Sequence, residues 1–335
     1  MQQPVRSRLV RGAVAGFALG ALSLAGVSAR GEALVGLTHS NPALIQGLIR
    51  FDSATPAISS SVDIAGLIAN DILVGIDRRP SDGLLYGISF NNQNFVGRIY
   101  TLDEFTGAAT LRSTLMADPT DTTAPSPYQN LFSLGFAGVD FNPVVDRLRV
   151  VSTGGFNLRI NADTGAVQLD GPATYPVGDP GNPFQTPLQA AIGAIAYSNS
   201  FAGAATTLLT GVDGNRAPDH LVRFTDPNAG AIESTGVDAP PFQSGLNIEY
   251  DISGLTGLSY LVGRSALGDE LYVSGSSGFT SVGLISANPS AIDLRGLAAG
   301  VAVNVPPIPE PETYALMAIG LGVLGAVARR RRMKA

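Results

Sequence analysis

Cysteine is absent from the 335 residues. That excludes disulfide staples, thiol nucleophiles and thiolate metal centres, so stability must come from the core alone. Histidine is nearly absent: His39 and His220 are the only two, too few for a histidine-rich metal centre within one chain. The single lysine, Lys334, lies in the C-terminal tail, which removes Schiff-base and amine-nucleophile chemistry from the body. Positive charge is scarce as well. Between Leu34 and Ile308, 12 Arg face 20 Asp and 4 Glu, a net of −12, although the whole chain carries only −6. The balancing positive charge sits at the two ends. An acidic body repels phosphate backbones, so nucleic acid is not an expected partner. Carboxylates suit Ca²⁺, the one ion this composition could favour, against the plainer reading of a solvated acidic surface. The signatures of common enzymes are missing too. There is no P-loop and no dinucleotide fingerprint, and Gly263-Arg264-Ser265-Ala266-Leu267 lacks the final glycine of a nucleophile elbow.

What is present is repetition. Gly138–Val167 reads as four short strands, Val139–Phe141, Arg147–Ser152, Asn157–Asn161 and Ala166–Leu169. The turns between them are rich in Asn, Pro, Asp and Gly, residues that preset φ, bond back to the backbone or accept the left-handed conformation. The same unit recurs about 63 residues earlier as Val74–Asp77, Leu84–Phe90, Gly97–Asp103 and Ala108–Leu115. It recurs again over Ala191–Ser234 and, more faintly, over Leu246–Ile285. Leu34–Asp63 supplies three more strands, and Ala291–Val303 one or two. Four-stranded repeats of this length are propeller blades. The expected fold is therefore all-β and propeller-like, with five blades, six being the alternative. The last strands would complete the first blade and close the ring, leaving no sheet edge. A two-sheet sandwich is the runner-up and does not account for the repeat. Leu84–Ile88 and Leu208–Val212 are almost wholly apolar and are expected to be inner strands.

Propeller geometry then sorts the connections. Turns after the first and third strands of each blade share one face and are short and alike, which is turn chemistry. Connections after the second strand and between blades share the other face and are long and dissimilar. Function usually sits on such variable loops held by a rigid scaffold. They carry Asp118, Asp121, Asp170, Asp179, Asp213, Asn215, Asp219 and Asp238, together with Tyr128, Tyr175 and Phe184. The candidate binding residues are Asp213, Asn215 and Asp219, whose spacing resembles oxygen ligands on a loop. The pattern is not a full EF-hand, because Ala217 takes the third ligand position and no Glu follows at the twelfth. His220 and His39 read as surface residues, and Arg147, Arg149 and Arg159 as partners of Asp140, Asp146 or Asp163.

The two ends are addresses. Residues 1–33 read as a signal peptide: basic Arg6, Arg8 and Arg11, an apolar stretch Ala13–Val27, and small residues at Ala29 and Ala33 for a signal peptidase. Residues 34–305 form the body and 306–335 the tail. The tail runs Pro309-Glu310-Pro311, an apolar stretch Tyr314–Ala328, then Arg329–Arg332. As a terminal helix that stretch would span about 22 Å against a hydrocarbon core of roughly 30 Å, short for a permanent anchor. The arrangement resembles the PEP-CTERM sorting signal of Gram-negative bacteria. The resemblance implies a precursor that enters the inner membrane transiently through its tail. An exosortase-type protease then cleaves it and delivers it to the outer surface or extracellular matrix, where such proteins commonly accompany exopolysaccharide. The body, through GVDFNPVVDRLRVVS at Gly138–Ser152 and NLRINADTGAV at Asn157–Val167, resembles a bacterial domain family of unknown function, which implies no activity. The leading reading is a non-catalytic binding or structural module, with polysaccharide as the expected ligand. The competing reading, which leaves the question of enzymatic activity open, is a lactonase-like metal-dependent hydrolase. It would require several carboxylates within about 3 Å of one point in the central channel.

Overall fold

The computed structural model describes residues 31–40, 45–91, 93–122, 136–215, 218–240, 242, 248–265, 267–275, 278–286 and 293–303. The expected signal peptide before residue 31, the sorting tail with its expected helix, and Tyr128 lie outside them. No helix among the described residues is long and apolar enough to cross a membrane.

The described chain is all strand and turn. Blade 1 takes β1 (Ala33–Ser40), β2 (Ile45–Asp52) and β3 (Ile58–Asp63). Blade 2 is β4 (Asp71–Arg78), β5 (Leu85–Asn91), β6 (Gly97–Leu102) and β7 (Ala109–Thr114). Blade 3 comprises β8 (Met116–Ala117), β9 (Ala137–Asn142), β10 (Arg147–Ser152), β11 (Asn157–Ile160) and β12 (Ala166–Leu169). Blade 4 comprises β13 (Thr174–Tyr175), β14 (Leu188–Gln189), β15 (Ile192–Tyr197), β16 (Leu209–Asp213), β17 (His220–Asp226) and β18 (Ala231–Asp238). Blade 5 is β19 (Ile248–Ile252), β20 (Ser259–Ser265), β21 (Gly268–Gly275) and β22 (Gly278–Ser286). The last strand, β23 (Asp293–Ala298), returns to blade 1 and pairs antiparallel with β1, Val35 opposite Ala298. The ring closes as the repeat implies, with five blades. β23, β4, β9, β15 and β19 are the innermost strands and neighbour one another around the axis.

Each sheet is buried on both faces because each blade packs on two neighbours. Five apolar clusters result, one per blade–blade interface. Between blades 2 and 3, for example, Tyr86, Ile88 and Ile99 meet Phe141, Leu148 and Val150. The strands β5 and β15 are buried at every position. One detail differs from the sequence expectation. The apolar runs from Leu84 and Leu208 form second strands, β5 and β16, and Leu84 and Leu208 themselves are exposed in the turns before them.

The turns repeat atom for atom. After the third strand, Asp52, Asp103, Asn161 and Asp226 each accept the backbone N–H groups two and three residues on. That is why Asx residues recur there. Gly165 closes one such turn at φ 77°. A Cβ at that position would lie 2.0 Å from the Thr114 carbonyl oxygen, so the turn also keys into the preceding blade. Gly138 is needed for a different reason: its missing Cβ would lie 2.3 Å from the backbone N of Ile195, so glycine lets β9 approach β15 at the narrow axis.

Candidate functional site

The short turns gather on one face, the turn face, and charged clasps tie neighbouring blades there. Arg79 of blade 2 holds Asp146 through two hydrogen bonds, at 2.8 and 2.5 Å, and Asp163 through two more, both in blade 3. Arg112 adds a second cation to Asp163. These guanidinium groups, Arg79 first, hold the Asp163 carboxyl well below its usual range. Arg50 of blade 1 and Arg78 of blade 2 share Glu104. Arg149, only 2% exposed, crosses from blade 3 to blade 4. It donates to Tyr197 Oη, Asn157 Oδ1, Asp170 Oδ2, the Pro227 carbonyl and Asn228 Oδ1. The expected arginine pairing is therefore corrected. Arg149 and Arg159 both pair with Asp170, and Arg147 reaches only backbone carbonyls of its own turn. The true partner of Asp146 and Asp163, Arg79, sits 67 and 84 residues away from them, a distance over which adjacent-strand reasoning has no reach.

On the opposite, loop face, most of the predicted residues are occupied in holding loops. Asp118 caps its own turn, Asp121 accepts from the Leu169 N–H, and Asp179 accepts from Gly181 N–H and both donors of Ser234. Asp213 and Asn215, two of the three predicted binding residues, line one cavity of about 420 Å³ with Pro183, Phe184, Leu188, Gln189 and His220. Asp213 is buried and already accepts from Tyr175 Oη–H, Ala191 N–H and Asn215 N–H. Asp219, the third, is buried beside them. Burial first, and the Asp213 charge second, push its carboxyl up to about 6. His220 bonds Asp238 through Nδ1 at 2.6 Å, and the Phe184 side chain is open to solvent. His39, expected at the surface, is half-buried near the end of β1, opposite Gln46 and Asp293, and burial lowers its pKa. Ser265 of the near-miss elbow donates to the Gly268 carbonyl within the β20–β21 hairpin.

The strongest chemical feature lies in the channel: a convergence of carboxylates of the kind the competing hydrolase reading requires, on residues the sequence reading did not assign to it. Asp77 on β4, Asp140 on β9 and Asp251 on β19 are all buried, and one carboxylate oxygen from each lies within 4.8 Å of the others. The signal was available: Gly75-Ile76-Asp77, Gly138-Val139-Asp140 and Glu249-Tyr250-Asp251 occupy one position of the repeat. Ala196 and Ala298 take that position in the other two inner strands.

The layer has a simple hydrogen-bond logic. Asp77 Oδ2 accepts from Phe141 N–H on the next inner strand at 2.7 Å, and Asp251 Oδ2 from Ala299 N–H, one residue past the end of β23, at 2.6 Å. The Tyr197 backbone, at the matching place on β15, lowers the Asp140 pKa and so partly opposes the effect of burial. Where alanine precedes, no carboxylate arrives from the neighbour. There Asp77 Oδ1 takes the N–H of Arg78 and Asp251 Oδ1 that of Ile252. Phe141 N–H is already engaged by Asp77, so Asp140 Oδ1 is left buried without a partner. Burial, with the other two charges, raises the Asp140 carboxyl well above its ordinary value; Asp77 is raised by burial and by Asp251. Burial pushes Asp251 up to about 6. None of the three is ion-paired among the described residues.

Comparison with known proteins places these features. The family described as domain of unknown function DUF4394 matches residues 47–298, and the PEP-CTERM protein-sorting motif matches residues 307–332. No curated protein matches. Among solved structures, the chain is similar to TolB from Acinetobacter baumannii at 10% identity, with TM-score 0.44, over 81% of this chain and 67% of that one. It is similar to a nidogen/laminin complex at 9% identity, with TM-score 0.46, over 81% and 99%. It is also similar to the Dos1 propeller at 10% identity, with TM-score 0.34, over 75% and 61%. The sorting motif marks an exported protein whose membrane-anchored precursor is processed by an exosortase-type protease.

Proposed function

From the premise that this chain belongs to the DUF4394 family and carries an exosortase sorting motif, we propose that it is a non-catalytic binding module of the outer surface or extracellular matrix. Its loop face points away from the membrane and takes polysaccharide. The observation that carries the reading is where the body begins and ends. Glu32 Oε1 accepts from Gly300 N–H, Ala302 bridges Phe201, and Val303 lies over Gly83. Both ends of the body thus leave at the centre of the turn face, and Val303 stands six residues before Pro309. Exposed Leu84, Val144, Val145, Phe201, Leu208 and Leu255 surround that exit. A precursor held by its tail presents this apolar ring to the bilayer and the loop face to the exterior.

The loop-face cavity suits a sugar. Phe184 offers an exposed ring against which a pyranose face can lie, and Asn215, Gln189 and His220 offer hydrogen-bonding groups around it. Asp213 is committed to three donors of its own loops, and His220 to Asp238, which favours holding a ligand over turning it over. The test is calorimetry of the full chain in detergent with the exopolysaccharide of its native host, beside Phe184→Ala and Asn215→Ala. Binding weakened at least tenfold in both variants supports the reading. Shortened saccharide products would replace it with an enzyme, and equal binding by all three proteins would remove this cavity from it.

A further inference from the structure

We propose that Asp77, Asp140 and Asp251 form a Ca²⁺ site that locks the propeller across blades 2, 3 and 5. Three atoms no more than 4.8 Å apart all lie within about 2.8 Å of a common point, close to the roughly 2.3–2.6 Å at which Ca²⁺ holds carboxylate oxygen. The three groups come from three different inner strands, so their convergence belongs to the assembled ring and not to one turn. Asp140 Oδ1 is the independent sign that something is missing: a buried carboxylate oxygen with no donor, where buried polar atoms ordinarily have one. The two oxygens of Asp77 and the two of Asp251 each accept one backbone N–H, which leaves each a lone pair for a cation. No arginine or lysine is ion-paired with the trio among the described residues, and the nearest positive charge acting on it, Arg78 beside Asp77, is held by Glu104.

The choice of ion follows from the carboxylate donor set and from the narrow channel layer beside it. The channel layer on the loop-face side, lined by Gly75, Gly138, Ala194, Glu249 and Gly296, leaves a void of only about 10 Å³, room for about one water. Mg²⁺ usually keeps several waters and needs regular octahedral geometry. Ca²⁺ accepts irregular and bidentate carboxylates, and three aspartates offer up to six oxygens. Extracellular modules bind Ca²⁺ at about 10⁻⁴–10⁻³ M, so the ion would seat after export. The plain alternative is that the carboxyls share protons and hold one another as neutral acids, Asp140 against Asp251.

The full chain in detergent, stripped with chelator and refolded at pH 7, distinguishes the two. With Ca²⁺ at about 100 times its dissociation constant, the melting temperature should rise by at least about 5 °C, with a smaller rise for Mg²⁺. Tb³⁺ should give tyrosine-sensitised emission, because Tyr250 adjoins Asp251, and Ca²⁺ should displace it. Asp140→Asn should lose both signals at least tenfold. No Ca²⁺-dependent rise in the wild type, or signals unchanged in Asp140→Asn, would overturn the site. Should Asp140→Asn fail to fold, the anomalous signal of Tb³⁺ in wild-type crystals decides: a peak between the three carboxylates supports the site, and a peak only elsewhere refutes it.

Discussion

Replacing Arg149 with alanine should cost more stability than any single surface change in this protein. The side chain is almost wholly buried and donates to five acceptors, three of them, Tyr197 Oη, the Pro227 carbonyl and Asn228 Oδ1, in the next blade. Its loss strands the buried Asn157 Oδ1 and takes a donor from Tyr197 Oη, while the Pro227 carbonyl keeps Asn157 Nδ2. It also leaves Asp170 with Arg159 alone. Breaking a buried ion pair by deleting one partner costs about 3–5 kcal/mol. The remaining Arg159 argues for the lower end, and the orphaned neutral acceptors argue for the upper. At about 2–4 °C per kcal/mol for a domain of this size, the melting temperature should drop by roughly 6–20 °C. Thermal unfolding of wild type, Arg149→Ala and Arg149→Lys measures it. Lysine keeps the charge but lacks the planar fork, so it should recover only part of the loss. A fall below about 1 kcal/mol for alanine, or full recovery by lysine, would refute the claim that this guanidinium clasps blades 3 and 4.

Three further outcomes are expected. In chelator-treated protein, urea midpoints should fall as pH rises from about 4 through 6. Asp219 and Asp251 have folded pKa values near 6, and Asp77, Asp140 and Glu249 are also raised, so each must ionise while buried. Asp163, depressed by Arg79, has the opposite sign and loses its contribution only as pH falls below about 4; a flat profile from pH 4 to 7 would sink the argument. Gly138→Ala should destabilise by about 1–3 kcal/mol, because its Cβ meets the backbone of Ala194 and Ile195, which cannot move aside as a side chain can; a neutral result in urea would show that β9 has slack. Mass spectrometry of the exported form should find a start at Arg30, not Leu34. Cleavage after Ala33 would remove Glu32, which receives Gly300 N–H, Tyr260 Oη–H and Thr256 Oγ1–H.

The sequence by itself determined the repeat, the strand order within each blade, the closing role of residues 291–303 and the chemistry of the turns. All of these depend on residues close in the chain: Asx side chains reach donors two and three residues away, and glycine takes up positive φ without help. The tail motif was legible for the same reason, because a sorting signal is read as a linear string. Tertiary structure alone decided the partners. Arg79 meets Asp146 and Asp163, and Arg149 meets Asp170 and Asn228, because ring closure sets adjacent blades edge to edge. Local reasoning paired Arg149 with the wrong carboxylates on that account. The aspartate trio shows the division most plainly. Each aspartate stands at the same position of the repeat, yet only the narrow five-bladed axis turns three separate residues into one buried cluster, and only Asp77 on the preceding inner strand, by taking the Phe141 N–H, leaves Asp140 with an oxygen to spare.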